Sequence, residues 1–258
     1  LSVNNLDDYR SFRDTLTTKK EISILGAGLI GCEFANDLAM AGYNVHVIDI
    51  STQPLGKLLP PAGGAFLQRK LEAIGVVFHF DTITKRVEKI GKKLQLTFAN
   101  GKILQTDILL TAVGLIPNTS LAKEAGIRVN RGIVVNRSLQ TNYNDIYALG
   151  DCAEVDGRVL PYVMPIMHAA RALAATLAKN PTLVRYPAMP VLVKTPACPT
   201  VVSPPNPGTE GEWQVEETHD SVRALFNDAE NNLLGYALLG TAINEKISLT
   251  KELPSVME

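Results

Sequence analysis

Three glycines and one aspartate are the residues of this sequence whose types and spacing point most directly to chemistry. The segment ILGAGLIG places Gly26, Gly28 and Gly31 after an apolar run, and Asp49 ends the next apolar run. In a strand–turn–helix unit the first glycine permits a tight turn, the second lets the backbone approach a pyrophosphate, and the third allows close helix packing. The spacing predicts a dinucleotide site; the alternative is a glycine turn that only packs a helix against a strand.

The helix after the glycines is expected to run from Leu29 to Met40. Leu29 and Ile30 would then lie in its first turn, where free N–H groups and partial positive charge favour a phosphate. Glu33 follows two residues after the last glycine. Its carboxylate would either complement the helix dipole or face a nicotinamide, and the sequence favours neither reading over the other.

Asp49 indicates which dinucleotide would bind. A carboxylate at this position accepts hydrogen bonds from the ribose hydroxyls and repels a 2'-phosphate. The segment DISTQPLG contains no arginine that would bind such a phosphate. We therefore expect NADH rather than NADPH.

A second acid follows another apolar run, far along the chain. In NDIYALGD, residues 144–151, a strand from Ile146 to Leu149 is expected to enter a turn at Gly150, which would present Asp151 to a ligand hydroxyl. The dinucleotide motif already has its own acid, so this stretch suggests a second nucleotide with only half of its site in the chain.

The elements that position these residues alternate between strands and helices. Strand, helix and strand in that order from residue 22 to Asp49 require parallel pairing, and a second helix follows over 64–75. Residues 82–113 alternate polar and apolar side chains, with a hairpin turn at 99–101, which predicts an antiparallel meander. Beyond them we expect helices at 120–126, 163–178 and 244–250, strands in VRALFND and LLGYALLG, and no long helix in the proline-rich 186–208.

Composition bounds the class of protein. An apolar content of 46% with 20% charged residues predicts a globular α/β protein, and no apolar run is long enough for a membrane helix. Residues 204–258 carry ten acids against three lysines or arginines, while the mild positive excess of the preceding residues is too diluted for nucleic-acid binding. The three cysteines, in no metal or dithiol spacing, fit a cytoplasmic protein with no metal site.

Three segments, GAGLIGCEFA, TAVGLIPN and TNYNDIYALGDCAE, together resemble the two-dinucleotide-domain flavoprotein reductases. The resemblance implies that the turn at 111–118, which includes Val113 and Gly114, returns the chain from an NAD domain to an FAD domain. It also implies that Gly150 and Asp151 contact the flavin nucleotide, with Asp151 on the ribityl chain. These residues are accordingly assigned to cofactor binding.

The segments LPYVMPIMHAARALA and YPAMPVLVKTPACP resemble bacterial rubredoxin-NAD reductases of the alkane-oxidation type. This resemblance implies that Pro165 lies in a helix directed at the flavin and that Lys194 lies beside its ring system. His168 departs from the glutamine familiar in that family. Ordinary core packing of Met164, Met167, Ala170 and Leu173 is expected in the same helix.

The resemblance also implies a domain organisation. It comprises a linker helix (1–19), a Rossmann-like NAD-binding domain with a parallel sheet and a β-meander (20–113), the second half of an FAD-binding domain (114–188) and a small α+β C-terminal domain (189–258). Because the first half of the FAD domain and an initiator methionine are both absent, we expect the chain to be part of a longer protein.

The implied activity is electron transfer from NADH through FAD to rubredoxin in support of alkane hydroxylation, with no side chain acting as nucleophile or acid. No C-x-x-C pair lies in the NAD domain, which favours a one-electron acceptor over a dithiol. Two alternatives stay open. One is reduction of the ferredoxin of an oxygenase, or another flavoprotein NADH oxidoreductase activity; the other is a nucleotide-binding module without turnover.

Overall fold

The structure is a computed structural model that describes residues 1–258. The chain forms two compact units. Unit 1 comprises Leu1–Gly114 and Pro190–Leu253, and unit 2 comprises Leu115–Met189 and Pro254–Glu258. The divisions near residues 114 and 190 lie close to two predicted domain boundaries, and the domain assignments themselves stay predictions. No helix is long and apolar enough to cross a membrane.

Unit 1 contains a parallel four-stranded sheet in the order β3-β2-β1-β7. Its first elements are α1 (Leu6–Thr15), β1 (Glu21–Leu25), α2 (Leu29–Met40), β2 (Asn44–Ile48), α3 (Pro61–Ala73), β3 (Val76–His79) and β7 (Ile108–Thr111). The predicted strand–helix–strand order and parallel pairing are confirmed, with Ile24 opposite Val47. Both strands are buried, as expected for a sheet covered on its two faces.

The predicted meander is confirmed over residues 84–106, whereas Ile108–Thr111, which the prediction included, form β7 of the parallel sheet. The meander is a three-stranded antiparallel sheet of β4 (Thr84–Ile90), β5 (Lys93–Phe98) and β6 (Ile103–Thr106), with Gly101 in the hairpin at a φ of +82°. Leu96 and Phe98 are buried and form one cluster with Ile48 of β2. The meander therefore packs against the parallel sheet.

The C-terminal part of unit 1 is a five-stranded antiparallel sheet, larger than the small sheet predicted from two strands. Its strands, in the order β10-β11-β14-β13-β12, precede a final helix, α6 (Lys246–Glu252). The strand bounds are β10 (Val191–Val193), β11 (Thr200–Ser203), β12 (Glu212–Glu217), β13 (Ser221–Asn227) and β14 (Leu233–Gly240). Apolar residues of this sheet, such as Val202 and Leu239, share one hydrophobic core with the parallel sheet.

Unit 2 contains α4 (Ser120–Glu124), a parallel pair of β8 (Ile133–Val135) and β9 (Ala153–Val155), and α5 (Val163–Leu177). The strand expected from Ile146 to Leu149 is wrong, because only Tyr147 forms an isolated bridge, opposite Gln140. The expected core face of α5 is confirmed only at Leu173, which packs against the core of unit 2. Met164 and Met167 are each 46% exposed and Ala170 is exposed, and the helix buries Pro165, Ala169 and Ala172 instead.

Candidate nucleotide-binding site

The glycine turn between β1 and α2 is built by close backbone contacts. Gly26 has a φ of +103°, and its N–H donates to the Ile48 carbonyl at 2.8 Å. A Cβ at Gly26 would lie 2.5 Å from the Ala112 carbonyl oxygen, and one at Gly31 would lie 1.9 Å from the Gly26 carbonyl oxygen. Both positions therefore exclude a side chain because the strand, the turn and the helix approach one another closely.

Gly28 plays a different part in the turn. It begins α2 as the N-cap, at a φ of −76° that any residue can adopt, and a Cβ there would have no neighbour within 4 Å. No side chain caps the helix, and the N–H groups of residues 28–31 donate no hydrogen bond within the chain. The first N–H group of the helix that donates one is that of Cys32, to the Gly28 carbonyl. Four N–H donors thus have no partner within the chain, and the space beside Gly28 is open, which fits a bound pyrophosphate.

Asp49 follows β2 and lies beside this turn. Its Oδ2 accepts the Ala27 N–H at 2.5 Å, and its Oδ1 accepts the Ser51 N–H at 2.7 Å and the Ser51 hydroxyl at 2.5 Å. Partial burial alone would raise the Asp49 pKa, but the hydrogen bonds from Ser51 and Ala27 outweigh it and hold the pKa below its usual value. The carboxylate is therefore ionised at neutral pH and keeps lone pairs for a ribose hydroxyl.

Ser51 was not predicted from the sequence. A serine two residues after a strand-end aspartate is a pattern for an Asx-type turn, and that local signal could have identified it. Its two bonds orient the carboxylate towards the glycine turn, where a ribose would lie beside the pyrophosphate.

Glu33 has a partner that the sequence did not reveal. It is the fifth residue of α2, beyond the first turn, so complementing the helix dipole is a weaker reason for its presence. Its Oε1 accepts the Lys194 backbone N–H at 2.8 Å. One turn along the helix, Asn36 Oδ1 accepts the Ala197 N–H at 3.1 Å. These contacts bring α2 and the KTPAC segment together.

The remaining assigned residues of unit 1 are exposed. The Lys194 side chain is exposed, and Val113, which follows β7, is 73% exposed. Gly114 has a φ of +125°, and a Cβ there would have no neighbour within 4 Å, so glycine is required at this position by the backbone conformation alone.

Three assigned residues lie in unit 2. Gly150 has a φ of +88° and, with Pro165, lines a small concavity. Asp151 follows Gly150 and is exposed. The left-handed glycine and the neighbouring free carboxylate fit contact with a nucleotide's hydroxyl groups, and the assignment of these three residues to FAD stays a prediction.

Two of the three cysteines are buried in the way of small apolar side chains. Cys32 and Cys198 are buried, and burial raises the pKa of the Cys32 thiol to about 12 and raises that of Cys198. Thiols with raised pKa values are poor nucleophiles at neutral pH. Cys152 is partly buried, and its Sγ donates to the Leu149 carbonyl.

Two family models match the chain. Residues 1–176 match the model described as pyridine nucleotide-disulphide oxidoreductase, and residues 183–253 match the model described as rubredoxin binding C-terminal domain. The second match covers the antiparallel sheet of unit 1 together with the end of unit 2 that precedes it.

Curated relatives agree with these matches. The chain is 51% identical over 258 residues to the rubredoxin-NAD(+) reductase of Alcanivorax borkumensis and 50% identical to that of Acinetobacter baylyi, covering 99% of this chain in both. It is 36% identical to the nitric oxide reductase FlRd-NAD(+) reductase of Klebsiella pneumoniae. The chain spans 67% and 66% of the length of the first two relatives.

Solved structures share the fold. The ferredoxin reductase for the CYP199A2 system of Rhodopseudomonas palustris matches with a TM-score of 0.87 at 23% identity, over 100% of this chain and 66% of that one. Putidaredoxin reductase, in its covalent complex with putidaredoxin, matches with a TM-score of 0.86 at 23% identity, over 98% of this chain and 63% of that one. The predicted α/β fold class is thereby confirmed.

Proposed function

The chain belongs to the pyridine nucleotide-disulphide oxidoreductase family, and from that premise we propose that it takes part in NADH-dependent, FAD-dependent reduction of rubredoxin. We further propose a cytoplasmic location and a role in supplying electrons for alkane hydroxylation. The relatives named rubredoxin-NAD(+) reductase support the electron acceptor; the alkane pathway rests on the resemblance in sequence.

The residues of unit 1 have separate tasks in this function. The free N–H groups of residues 28–31 bind the pyrophosphate of NADH, and Asp49, held by Ser51, binds the ribose diol. Leu29 and Ile30 supply two of those N–H groups at the entrance of α2. Because the Asp49 carboxylate would repel a 2'-phosphate, the site selects NADH over NADPH.

Gly150, Asp151, Pro165 and Lys194 are the residues that we assign to FAD. When bound, the flavin supplies the conversion of a two-electron hydride donor into single electrons for an iron acceptor. The protein's contribution is then to bind and orient, so no nucleophile or acid is needed among its side chains. The raised pKa values of Cys32 and Cys198 agree with electron transfer that uses no protein thiol.

One observation carries the choice of acceptor. Residues 183–253 match the rubredoxin binding domain, and the sheet that they form shares its hydrophobic core with the strand and helix of the glycine motif. A shared core fixes the acceptor-binding domain against the nucleotide-binding domain, as transfer between two bound partners requires.

The experiment is an acceptor panel with the flavin-containing protein. NADH oxidation is followed while rubredoxin or ferredoxin is reduced, with NADPH in parallel and Gly28→Ala as the variant that should lose NADH. We expect fast reduction of rubredoxin with NADH. Reduction of ferredoxin in preference to rubredoxin would overturn the proposed acceptor, and equal use of NADPH would overturn the role of Asp49.

The visible absorbance of the purified chain tests the remaining alternative. A flavin spectrum supports an assembled redox site. A colourless preparation that binds NADH would instead assign this chain to nucleotide binding without turnover.

A further inference from the structure

Two side chains on one face of α2 hold a segment that lies 161 residues further along the chain. Glu33 and Asn36 are spaced i, i+3 and so face the same direction from the helix. Glu33 Oε1 accepts the Lys194 N–H at 2.8 Å, and Asn36 Oδ1 accepts the Ala197 N–H at 3.1 Å. These two bonds join the helix of the glycine motif to the loop that connects β10 with β11.

The held segment, residues 194–198, is itself a closed turn. The Thr195 hydroxyl donates to the Cys198 carbonyl at 2.7 Å, and the Cys198 N–H donates to the Thr195 carbonyl at 2.8 Å. Thr195 is 1% exposed and Cys198 is 2% exposed, whereas the Lys194 side chain is exposed. The turn is thus anchored at its base, and its one charged residue remains in solvent.

The polarity of the Asn36 amide is set by its other bonds. Asn36 is fully buried, and its Nδ2 donates to the Asp37 carboxylate at 3.1 Å, which leaves Oδ1 as the acceptor for Ala197. A buried amide that satisfies a distant backbone N–H is costly to replace with an apolar residue, because the N–H would lose its partner. Packing of α2 alone would need no amide here.

We infer that Glu33 and Asn36 are positioning residues, which fix the backbone of the 194–198 turn against α2 so that Lys194, the residue assigned above to FAD, is held near the helix that would bind NADH. This inference rests on the proposed function, since it assumes that NADH binds at the glycine motif. Glu33 then acts through its hydrogen-bonding capacity and not through its charge: Oε1 holds the turn, and Oε2 has no partner within the chain.

Glutamine and alanine at position 33 separate the two properties of the carboxylate. Glu33→Gln keeps an acceptor oxygen and removes the charge, whereas Glu33→Ala removes both. Hydrogen exchange of the Lys194 amide in the ligand-free protein should quicken about three- to tenfold in Glu33→Ala and stay within about twofold of wild type in Glu33→Gln. Glu72→Ala is the matched control, because Glu72 is an exposed helical glutamate of α3 whose carboxylate accepts a hydrogen bond from the Gln68 side chain one turn away.

Turnover of the flavin-containing protein supplies the second readout. We expect Glu33→Ala and Asn36→Ala to lower kcat for NADH oxidation about tenfold or more, with a smaller change in KM, because small displacements of a reacting site are costly. Glu33→Gln should recover most of the kcat that Glu33→Ala loses, and Glu72→Ala should behave as wild type.

Different failures have different signatures. Faster exchange at residues 194–197 in Glu33→Ala and Asn36→Ala with an unchanged kcat would overturn the positioning role alone. A Glu33→Gln variant with a protected Lys194 amide but the low kcat of Glu33→Ala would also overturn it, because the charge would then act directly on NADH. A folded, flavin-containing wild-type protein that oxidises no NADH would overturn the proposed function and the positioning role together.

Discussion

Alanine at two glycines of the same motif should have different effects, one on binding and one on stability. At Gly31 an added Cβ would lie 1.9 Å from the Gly26 carbonyl oxygen, 1.1 Å short of the 3.0 Å that Cβ contacts respect. The helix must therefore shift, and overpacking of this kind costs about 1–3 kcal/mol. We expect the upper end of that range, which corresponds to a fall in Tm of about 6–12 °C.

At Gly28 the same substitution meets nothing within 4 Å, and its φ of −76° suits alanine. The free energy of unfolding should change by less than about 1 kcal/mol. The added methyl group would instead occupy the space in which the pyrophosphate approaches the free N–H groups. Loss of two such hydrogen bonds, at about 1.5–3 kcal/mol each, weakens NADH binding about 100-fold or more.

Fluorescence titration with NADH and thermal unfolding followed by circular dichroism measure the two quantities on each variant. Gly28→Ala should melt like wild type and fail to bind, and Gly31→Ala should melt early. The reasoning is refuted if Gly28→Ala binds NADH as tightly as wild type, because the open space at Gly28 would then not be the pyrophosphate site. It is equally refuted if Gly28→Ala melts as early as Gly31→Ala.

Three further substitutions test carboxylates and histidines of the two units. Asp49→Asn keeps one acceptor oxygen for three donors, so the free energy of unfolding, measured with urea at pH 7, should fall by about 1–2 kcal/mol. Because the folded pKa of Asp49 is lowered, the difference between wild type and variant should disappear only as pH falls through that value. Glu154→Gln should cost about 1–3 kcal/mol, because the buried Glu154 carboxylate accepts two backbone N–H groups on Oε2 and the Asn130 amide on Oε1, so the donors at one of the two positions would face an amide N–H₂; an unchanged urea midpoint would contradict this. His46 Nδ1 and His79 Nε2 lie 3.1 Å apart, and burial lowers both pKa values, with the neighbouring His46 adding to the effect at His79. The neutral forms are favoured in the fold, so the two histidines contribute stability that is present above pH about 6.5 and is lost as pH falls through their lowered pKa values. His79→Phe should therefore reduce the decline in Tm between pH 7 and pH 5.

The nucleotide half of the fold could be predicted because its signals are local. Glycines at fixed spacing, an apolar strand on each side and a strand-end acid specify the turn, and the predicted helix from Leu29 to Met40 has the same bounds in the structure. The meander was predictable for a similar reason, since two-residue alternation and a turn at Gly101 are both read within a few residues.

The contacts of Glu33 and Asn36 could not be predicted in this way. Their partners lie 161 residues away, and no periodicity of α2 identifies a backbone N–H in a proline-rich loop. The same limit applies to residues 146–149, where an apolar run indicated a strand. Those residues form a single bridge at Tyr147, because an apolar run alone does not specify a pairing partner.

Unit 1 is discontinuous in sequence, and this determines the order in which it can fold during synthesis. Its core combines residues of β1, α2 and α3 with residues of β11, β13 and β14, and Gly63 of α3 lies against Leu239. Residues 1–114 therefore leave the ribosome with part of their apolar surface uncovered, until the strands between residues 200 and 240 are made. Contacts between such distant residues slow folding. Trp213, the single tryptophan, packs against Phe226 in the last-made sheet. In refolding experiments its fluorescence should change after the circular dichroism signal of the helices, and simultaneous changes would contradict this order.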